Sequence, residues 1–322
     1  MAPPFRIGVM QLTMEPLDEI LAHARALDAG GFDTIWLAEA YPWWRKHSME
    51  ARSSTALSAV VARETERLAV GWGIISPFTR HPIQIAMEAR VTQEAAGRGR
   101  FYLGLGVSKI FMRHAGIDAG SRPVAAMKEA AEIVRGVLRG EGLDFAGTGP
   151  MMLRAAAQVA DGLLTASITT PAFVRYVREQ VRDAGRDPDE LDIGCTIVAS
   201  IDDDRARGRD GAREIAGMYL ANKIQNIQAA ADTLLDLAGL SQDEIRPVAE
   251  AMESGGRLAA KAAVTDEILD KCRPIAGTPD DCVAAIEEYR DAGCTHVMLE
   301  LWGEDRLRQI ELFAEQVLPR VR

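Results

Sequence analysis

Short apolar runs and amphipathic stretches of helical period alternate along almost the whole chain. The runs at 6–12, 34–37, 68–75, 101–105, 162–165, 191–199 and 296–301 read as strands. Apolar residues three and four apart predict helices over 16–29, 53–64, 83–96, 122–138, 150–160, 171–184, 280–292 and 304–318. Punctuation agrees with the periodicity. Gly30-Gly31, Gly97 and Gly140 stand where helices should stop, while Ser53 or Ser54, and Thr278 or Asp280, stand where they should start.

Strands that alternate with helices and read as continuous apolar runs belong to a parallel sheet covered on both faces. With 322 residues, the expected α/β fold is a (β/α)8 TIM barrel, which takes about 250 residues plus insertions. One domain over residues 1–322 is expected. Two stretches break the rhythm. Residues 202–270 are alanine-rich, carry no strand signal and read as a mainly helical insertion after the seventh strand, packed over or beside the barrel mouth. The pattern also yields only seven strands, and the eighth is due between Gly140 and Gly149. That interval is short for a loop, a strand and another loop, which points to absent residues or a locally incomplete barrel.

Composition narrows the function classes. The chain is 48% hydrophobic and 26% charged, an ordinary globular balance. It has no run of 18 apolar residues, and Met1 to Arg6 lacks the basic start and apolar run of an export signal, so a cytoplasmic protein without a membrane span is expected. A net charge of −10 without a clustered basic face argues against nucleic acid. Cys195, Cys272, Cys282 and Cys294 have neither C-x-x-C spacing nor a histidine at a ligand interval, so no metal site or disulfide is expected. Lysine occurs only at 46, 109, 128, 223, 261 and 271, which makes Lys109 at a strand end conspicuous.

Barrel enzymes place their chemistry where strands end and βα loops begin. The second strand runs into Glu39-Ala40-Tyr41-Pro42-Trp43-Trp44, an aromatic loop suited to a flat ligand or to a dimer contact. The third carries Gly71 and Gly73 before Ile74-Ile75-Ser76-Pro77, and glycine inside a strand marks either a tight bend or the close approach of a ligand. The fourth ends in Gly104-Leu105-Gly106-Val107-Ser108-Lys109, where an ordinary turn and a solvated lysine are the plain alternative. Gly149-Pro150-Met151 opens a helix whose free N–H groups and positive dipole end suit a phosphate, although the pattern is also simply a good helix start.

Taken in order, several of these segments resemble the luciferase-like flavin and deazaflavin oxidoreductases. The carriers are Ala29 to Trp36, Ile75 to Pro82, Gly97 to Gly106, Gly149 to Leu153 followed by Val159-Ala160-Asp161-Gly162, and Gly277-Thr278-Pro279-Asp280-Asp281. The nearest likeness is to the coenzyme F420 branch that contains methylenetetrahydromethanopterin reductase. The resemblance implies a small-molecule oxidoreductase with its ring at the barrel mouth, passing hydride between coenzyme F420 and a substrate at C=N, C=C or C–OH. It implies a non-proline cis peptide at Gly73-Ile74 behind the ring and Ser76 at the ring's polar edge. Glu39, Ala40, Gly106 and Val107 would line the ring, with the phosphate near Gly149, Pro150 and Met151. Trp44 matches a ring-proximal tryptophan.

Where relatives carry histidine and an acid, this chain has Ala40 and Lys109. Lys109 could act as general acid or fix an anionic substrate. Glu300, standing where close relatives have small residues, could read a substrate cation or hydroxyl or merely bond a loop. The alternatives are an FMN-dependent monooxygenase and a non-catalytic cofactor-binding protein. A homodimer is expected from the same likeness.

Overall fold

Residues that are apolar on both sides of a strand must be covered on both sides, and a closed parallel sheet wrapped by helices does this. The computed structural model describes residues 5–39, 50–107, 112–113, 115–118, 120, 122–138, 144–146, 150–165, 168–225, 229–302 and 305–322. Its strands are β1 (Arg6–Leu12), β2 (Thr34–Ala38), β3 (Ala69–Trp72), β4 (Phe101–Tyr102), β5 (Gly104–Gly106), β6 (Asp144–Ala146), β7 (Gly162–Thr165), β8 (Asp192–Ile201), β9 (Ile275–Gly277) and β10 (His296–Leu301). They form one sheet in the order β4-β3-β2-β1-β10-β8-β7-β6-β5, with β9 on β8.

Every described ladder is parallel. Because β4 and β5 are two halves of one segment, this path returns to where it began. The seam is a parallel bridge between Ile75 and Leu105. There the Ile75 amide donates to the Gly104 carbonyl at 2.9 Å and the Gly106 amide donates to the Ile75 carbonyl at 3.0 Å. The structure is thus an α/β fold built on a parallel barrel.

Most sequence expectations hold within a residue or two, including the helices Leu17–Ala29, Ser54–Glu64, Pro82–Ala96, Pro123–Leu138 and Pro171–Asp183. Others need correction. The third strand stops at Trp72, not at residue 75, because the chain leaves the ladder at Gly73 and rejoins it only at Ile75. The fourth is interrupted at Leu103. The eighth strand exists: β6 pairs Asp144 to Ala146 with Gly104 to Gly106 on one side and with Gly162 to Leu164 on the other. Three residues suffice because both neighbours supply hydrogen bonds. β9 escapes periodicity altogether, being three residues long and joined only to the end of β8, from Ala199–Ile275 to Ile201–Gly277. Helices Arg205–Gln225, Ala229–Ala238, Gln242–Ala263 and Asp266–Lys271 lie between β8 and β9.

Alternation along the strands sorts two cores. Ile7, Val9, Ile35, Leu37, Ile193, Cys195, Ile197, Val297 and Leu299 face the surrounding helices. Met10, Trp36, Leu164 and Met298 meet inside the barrel. Two glycines are fixed by closeness. A Cβ on Gly71 would sit 2.4 Å from the Trp36 ring, and one on Gly104 would sit 2.2 Å from the Trp72 carbonyl oxygen. All four cysteines are buried and free, and burial pushes the Cys272 thiol up to about 12, so they are packing residues. Among the described residues no group of three or more metal-ligating side chains occurs. No described helix is long and apolar enough to cross a membrane.

The barrel floor is polar. Arg6, at the start of β1, pairs with Asp192 at the start of β8 and bonds the Tyr102 hydroxyl. Thr295 Oγ1 donates to Asp192 at 2.7 Å. His296 Nε2 lies 2.8 Å from Thr34 Oγ1, and its Nδ1 stands 3.7 Å from Asp192. Burial alone would raise the Asp192 carboxyl, but His296, Arg6 and Thr295 outweigh it and hold the carboxyl well below the usual carboxylate range.

A depressed carboxyl contributes stability that is complete above its unfolded value, about 3.9, and is lost as pH falls through the folded value. Asp192→Asn should therefore cost about 3 kcal/mol at pH 7, because it removes the carboxylate that Arg6, His296 and Thr295 share. The deficit should shrink in urea melts as pH is lowered from 5 towards 2. A deficit under 0.5 kcal/mol at pH 7, on the same order as a surface pair, would mean the floor pair carries no such weight.

Candidate functional site

Parallel strands all deliver their C-terminal ends to one rim, so β1, β2, β3, β5 and β10 converge there whatever their distance in sequence. At the end of β2, Glu39 is gripped from the next βα unit. Arg80 donates from both terminal nitrogens to its two carboxylate oxygens, each at 2.9 Å, and Ser54 Oγ adds a bond of 3.2 Å. Glu88 lies 3.6 Å from Arg80 Nε. Burial would lower the Arg80 guanidinium, but Glu39 and Glu88 outweigh this and raise it. Both Glu39 oxygens are therefore committed within the protein, a partnership its sequence position did not disclose.

The departure from β3 is a tight bulge with a cis peptide between Gly73 and Ile74, as the resemblance implied. The Gly73 amide still donates to Leu37 at 3.0 Å, and a Cβ there would lie 2.8 Å from Met10 Cε. Ser76 is buried. Its hydroxyl oxygen accepts the Phe78 amide at 3.3 Å, and its carbonyl accepts both the Thr79 amide and hydroxyl. Gly106 is drawn against Ile75 by the seam, and Val107 packs on the outer core beside it. The closure thus brings Gly73, Ile74, Ser76, Gly106 and Val107 together.

On the far side of β1, Glu300 ends the inward row of β10 with 1% exposure. The Tyr219 hydroxyl, from helix Arg205–Gln225, lies 2.7 and 2.6 Å from its two oxygens. Burial pushes the Glu300 carboxyl up to about 7, against the opposing pull of the Tyr219 bond and the Arg306 charge. Burial and the adjacent Glu300 also raise the Tyr219 hydroxyl well above its usual value, keeping it neutral. Arg306 itself pairs with Glu15 and lies over the Trp302 ring, 5.3 Å from its centre. Glu15 accepts from Gln11 Nε2 at 2.7 Å, and Gln11 Oε1 meets His23 at 3.2 Å. Thr13, fully buried, donates to the Ala38 carbonyl at 2.9 Å or the Arg52 carbonyl at 2.8 Å, tying β1 to both sides of the aromatic loop.

Sequence reasoning singled out Glu300 but missed Tyr219, Arg80, Glu15 and Thr13. Each acts through a contact distant in sequence, and no local spacing marks it. Ala40, Trp44, Lys109 and Gly149 lie outside the described residues. Pro150 begins the helix Pro150–Val159, and Met151 in its first turn is 69% exposed. That helix leaves its first amides without intrahelical partners.

The family model for luciferase-like monooxygenases matches residues 1–149 and 143–296. A 5,10-methylenetetrahydromethanopterin reductase of Archaeoglobus fulgidus is 26% identical, with 94% of this chain and 96% of the relative covered. An F420-dependent glucose-6-phosphate dehydrogenase of Nakamurella multipartita is also 26% identical, with 99% and 97% covered. Among solved structures, the coenzyme F420-dependent tetrahydromethanopterin reductase of Methanopyrus kandleri superposes with a TM-score of 0.86 at 22% identity, covering 99% of this chain and 100% of that one. This last likeness establishes the fold.

Proposed function

The chain belongs to the luciferase-like monooxygenase family, and from that premise we propose that it is a coenzyme F420-dependent oxidoreductase transferring hydride between the deazaflavin and a small organic substrate at C=N, C=C or C–OH. The observation that carries the reading is the bulge at Gly73-Ile74, locked into the barrel seam at the C-terminal rim, in a chain whose full-length relatives include F420-dependent enzymes. The residues present fit a flat ring with a phosphate tail. Ser76 Oγ accepts from Phe78 and keeps its own proton for a ring carbonyl, and the first turn, opened by Pro150, offers free amides from Met151 onward to an anion.

In this reading Gly73, Ile74, Gly106 and Val107 support the ring, with Glu39 and Ala40 along its edge. Gly149, Pro150 and Met151 hold the phosphate, while Trp44, Lys109 and Glu300 serve the substrate. When bound, the deazaflavin supplies or accepts the hydride. The protein's part is to orient the partners and to manage the proton. Glu39 acts through position, since Arg80 and Ser54 hold its carboxylate. We also read the chain as one domain over residues 1–322, with 202–270 a helical insertion shaping the pocket, and as a cytoplasmic homodimer. An apolar row of Ile83, Met87 and Val91, exposed on helix Pro82–Ala96, favours pairing with a second copy.

Side-by-side fluorescence titration of the purified protein with coenzyme F420 and FMN tests the cofactor. Selective F420 binding at about micromolar Kd, a binding free energy near 8 kcal/mol, is expected. Selective FMN binding would transfer the protein to oxygen-dependent chemistry, and binding of neither would leave the site without its cofactor.

A further inference from the structure

We propose that Tyr219 and Glu300 form the proton-transfer pair of this site, restricting its substrates to those whose reacting carbon carries an O–H or N–H. The proposal rests on the deazaflavin reading above and names the group that moves the proton. Its starting point is a carboxyl group with no evident structural reason to be charged. Glu300 is buried on the inward face of β10, opposite Val198 of β8 and one residue beyond the Val9–Leu299 pair with β1, where Met10 follows. Among the described residues no lysine or arginine forms an ion pair with it, since the nearby Arg306 is paired with Glu15. A buried carboxylate without a paired cation is costly, and a packing role would be served better by an apolar residue.

The groups that face Glu300 are Tyr219 from helix Arg205–Gln225 and Arg306 from helix Arg306–Leu312. Val198 and Met10 on the flanking strands do not titrate. Tyr219 is partly exposed as a residue, while its hydroxyl is enclosed with the Glu300 carboxyl. That hydroxyl is the one side-chain group among the described residues that hydrogen-bonds the carboxyl, so the proton passing between Glu300 and a bound substrate is assigned to go by way of it. That hydroxyl stays neutral, so it can accept one proton while giving up another. A carboxyl poised near neutrality both takes and returns that proton. The chain also has Ala40 where the family likeness leads one to expect histidine, which leaves the work of that histidine to another group.

In the oxidising direction the C–H bond of the substrate breaks and both its electrons leave with the hydrogen as hydride to the deazaflavin. The heteroatom's proton goes to the Tyr219 oxygen as the Tyr219 proton goes to the Glu300 carboxylate. The substrate is oxidised by two electrons to C=O or C=N, the coenzyme is reduced by two, and Glu300 ends neutral. Reduction runs the same transfers backwards.

The test begins without cofactor. Infrared titration of the protein should show a buried carboxyl band that fades as pH rises through about 7. It should be absent from Glu300→Gln and move to a higher midpoint in Tyr219→Phe, which loses the bond favouring ionisation. With oxidised coenzyme F420 bound, 2-propanol and isopropylamine serve as probes, and with the reduced coenzyme bound, 2-cyclohexen-1-one does. Wild type should turn over the alcohol or the amine with a pH inflection near 7. Tyr219→Phe should lower kcat about 100-fold, with KM and coenzyme affinity unchanged within about twofold, and Glu300→Gln should lose the inflection. A carboxyl that does not titrate between pH 5 and 9, turnover of the enone alone, no turnover of any probe, or variants at wild-type rate would each overturn the proposal. Failure to bind coenzyme F420 would instead sink the deazaflavin reading and this proposal with it, while the infrared titration would still report the pair itself.

Discussion

A parallel barrel must close, and here it closes where β3 pairs with β4 and where, past the bulge, two hydrogen bonds join Ile75 to the Gly104 to Gly106 segment. No side chain beyond hydrogen fits at Gly104, because the Trp72 carbonyl occupies the space where a Cβ would go. The chain therefore approaches backbone to backbone, and the residue before the seam, Ile74, is reached through the bulge at Gly73. The same geometry that closes the sheet also presents Gly73, Ile74, Ser76 and Gly106 at the rim. Structural closure and the candidate cofactor support are one feature.

Around that seam the barrel is graded along its axis. The floor gathers Arg6, Asp192, His296, Thr34 and Tyr102 into a buried polar cluster. The middle is an apolar layer of Met10, Trp36, Leu164 and Met298, which separates the floor from the rim. At the rim, charged groups are held across elements, Glu39 by Arg80 and Glu15 by Arg306. Glu300 stands apart from these pairs because its partner is a neutral hydroxyl. A satisfied ion pair resists proton exchange near neutrality, whereas a buried carboxyl without a paired cation, raised by its burial, does not.

Much of this architecture was legible in the sequence because parallel strands buried on both faces leave long apolar runs, as in 6–12 and 296–301. Legibility failed where hydrogen bonds from neighbours replace sequence signal. β6 and β9 are three residues each and draw their order from flanking strands. The Gly-rich stretches were readable as places of close approach, and Gly73-Ile74 proved to be such a place. The polar partners were not readable. Tyr219 reaches Glu300 across 81 residues and Arg80 reaches Glu39 across 41, and only the folded barrel brings them together. Glu300 was visible as a polar residue in an apolar run, but nothing local showed what it would meet.

If the rim around Gly73-Ile74 holds the deazaflavin, a crystal structure of the complex with coenzyme F420 will show the ring lying against Gly73-Ile74, with Ser76 at its polar edge and the phosphate at the start of helix Pro150–Val159. A ring bound away from the bulge, or a phosphate held elsewhere, would remove the rim from cofactor binding.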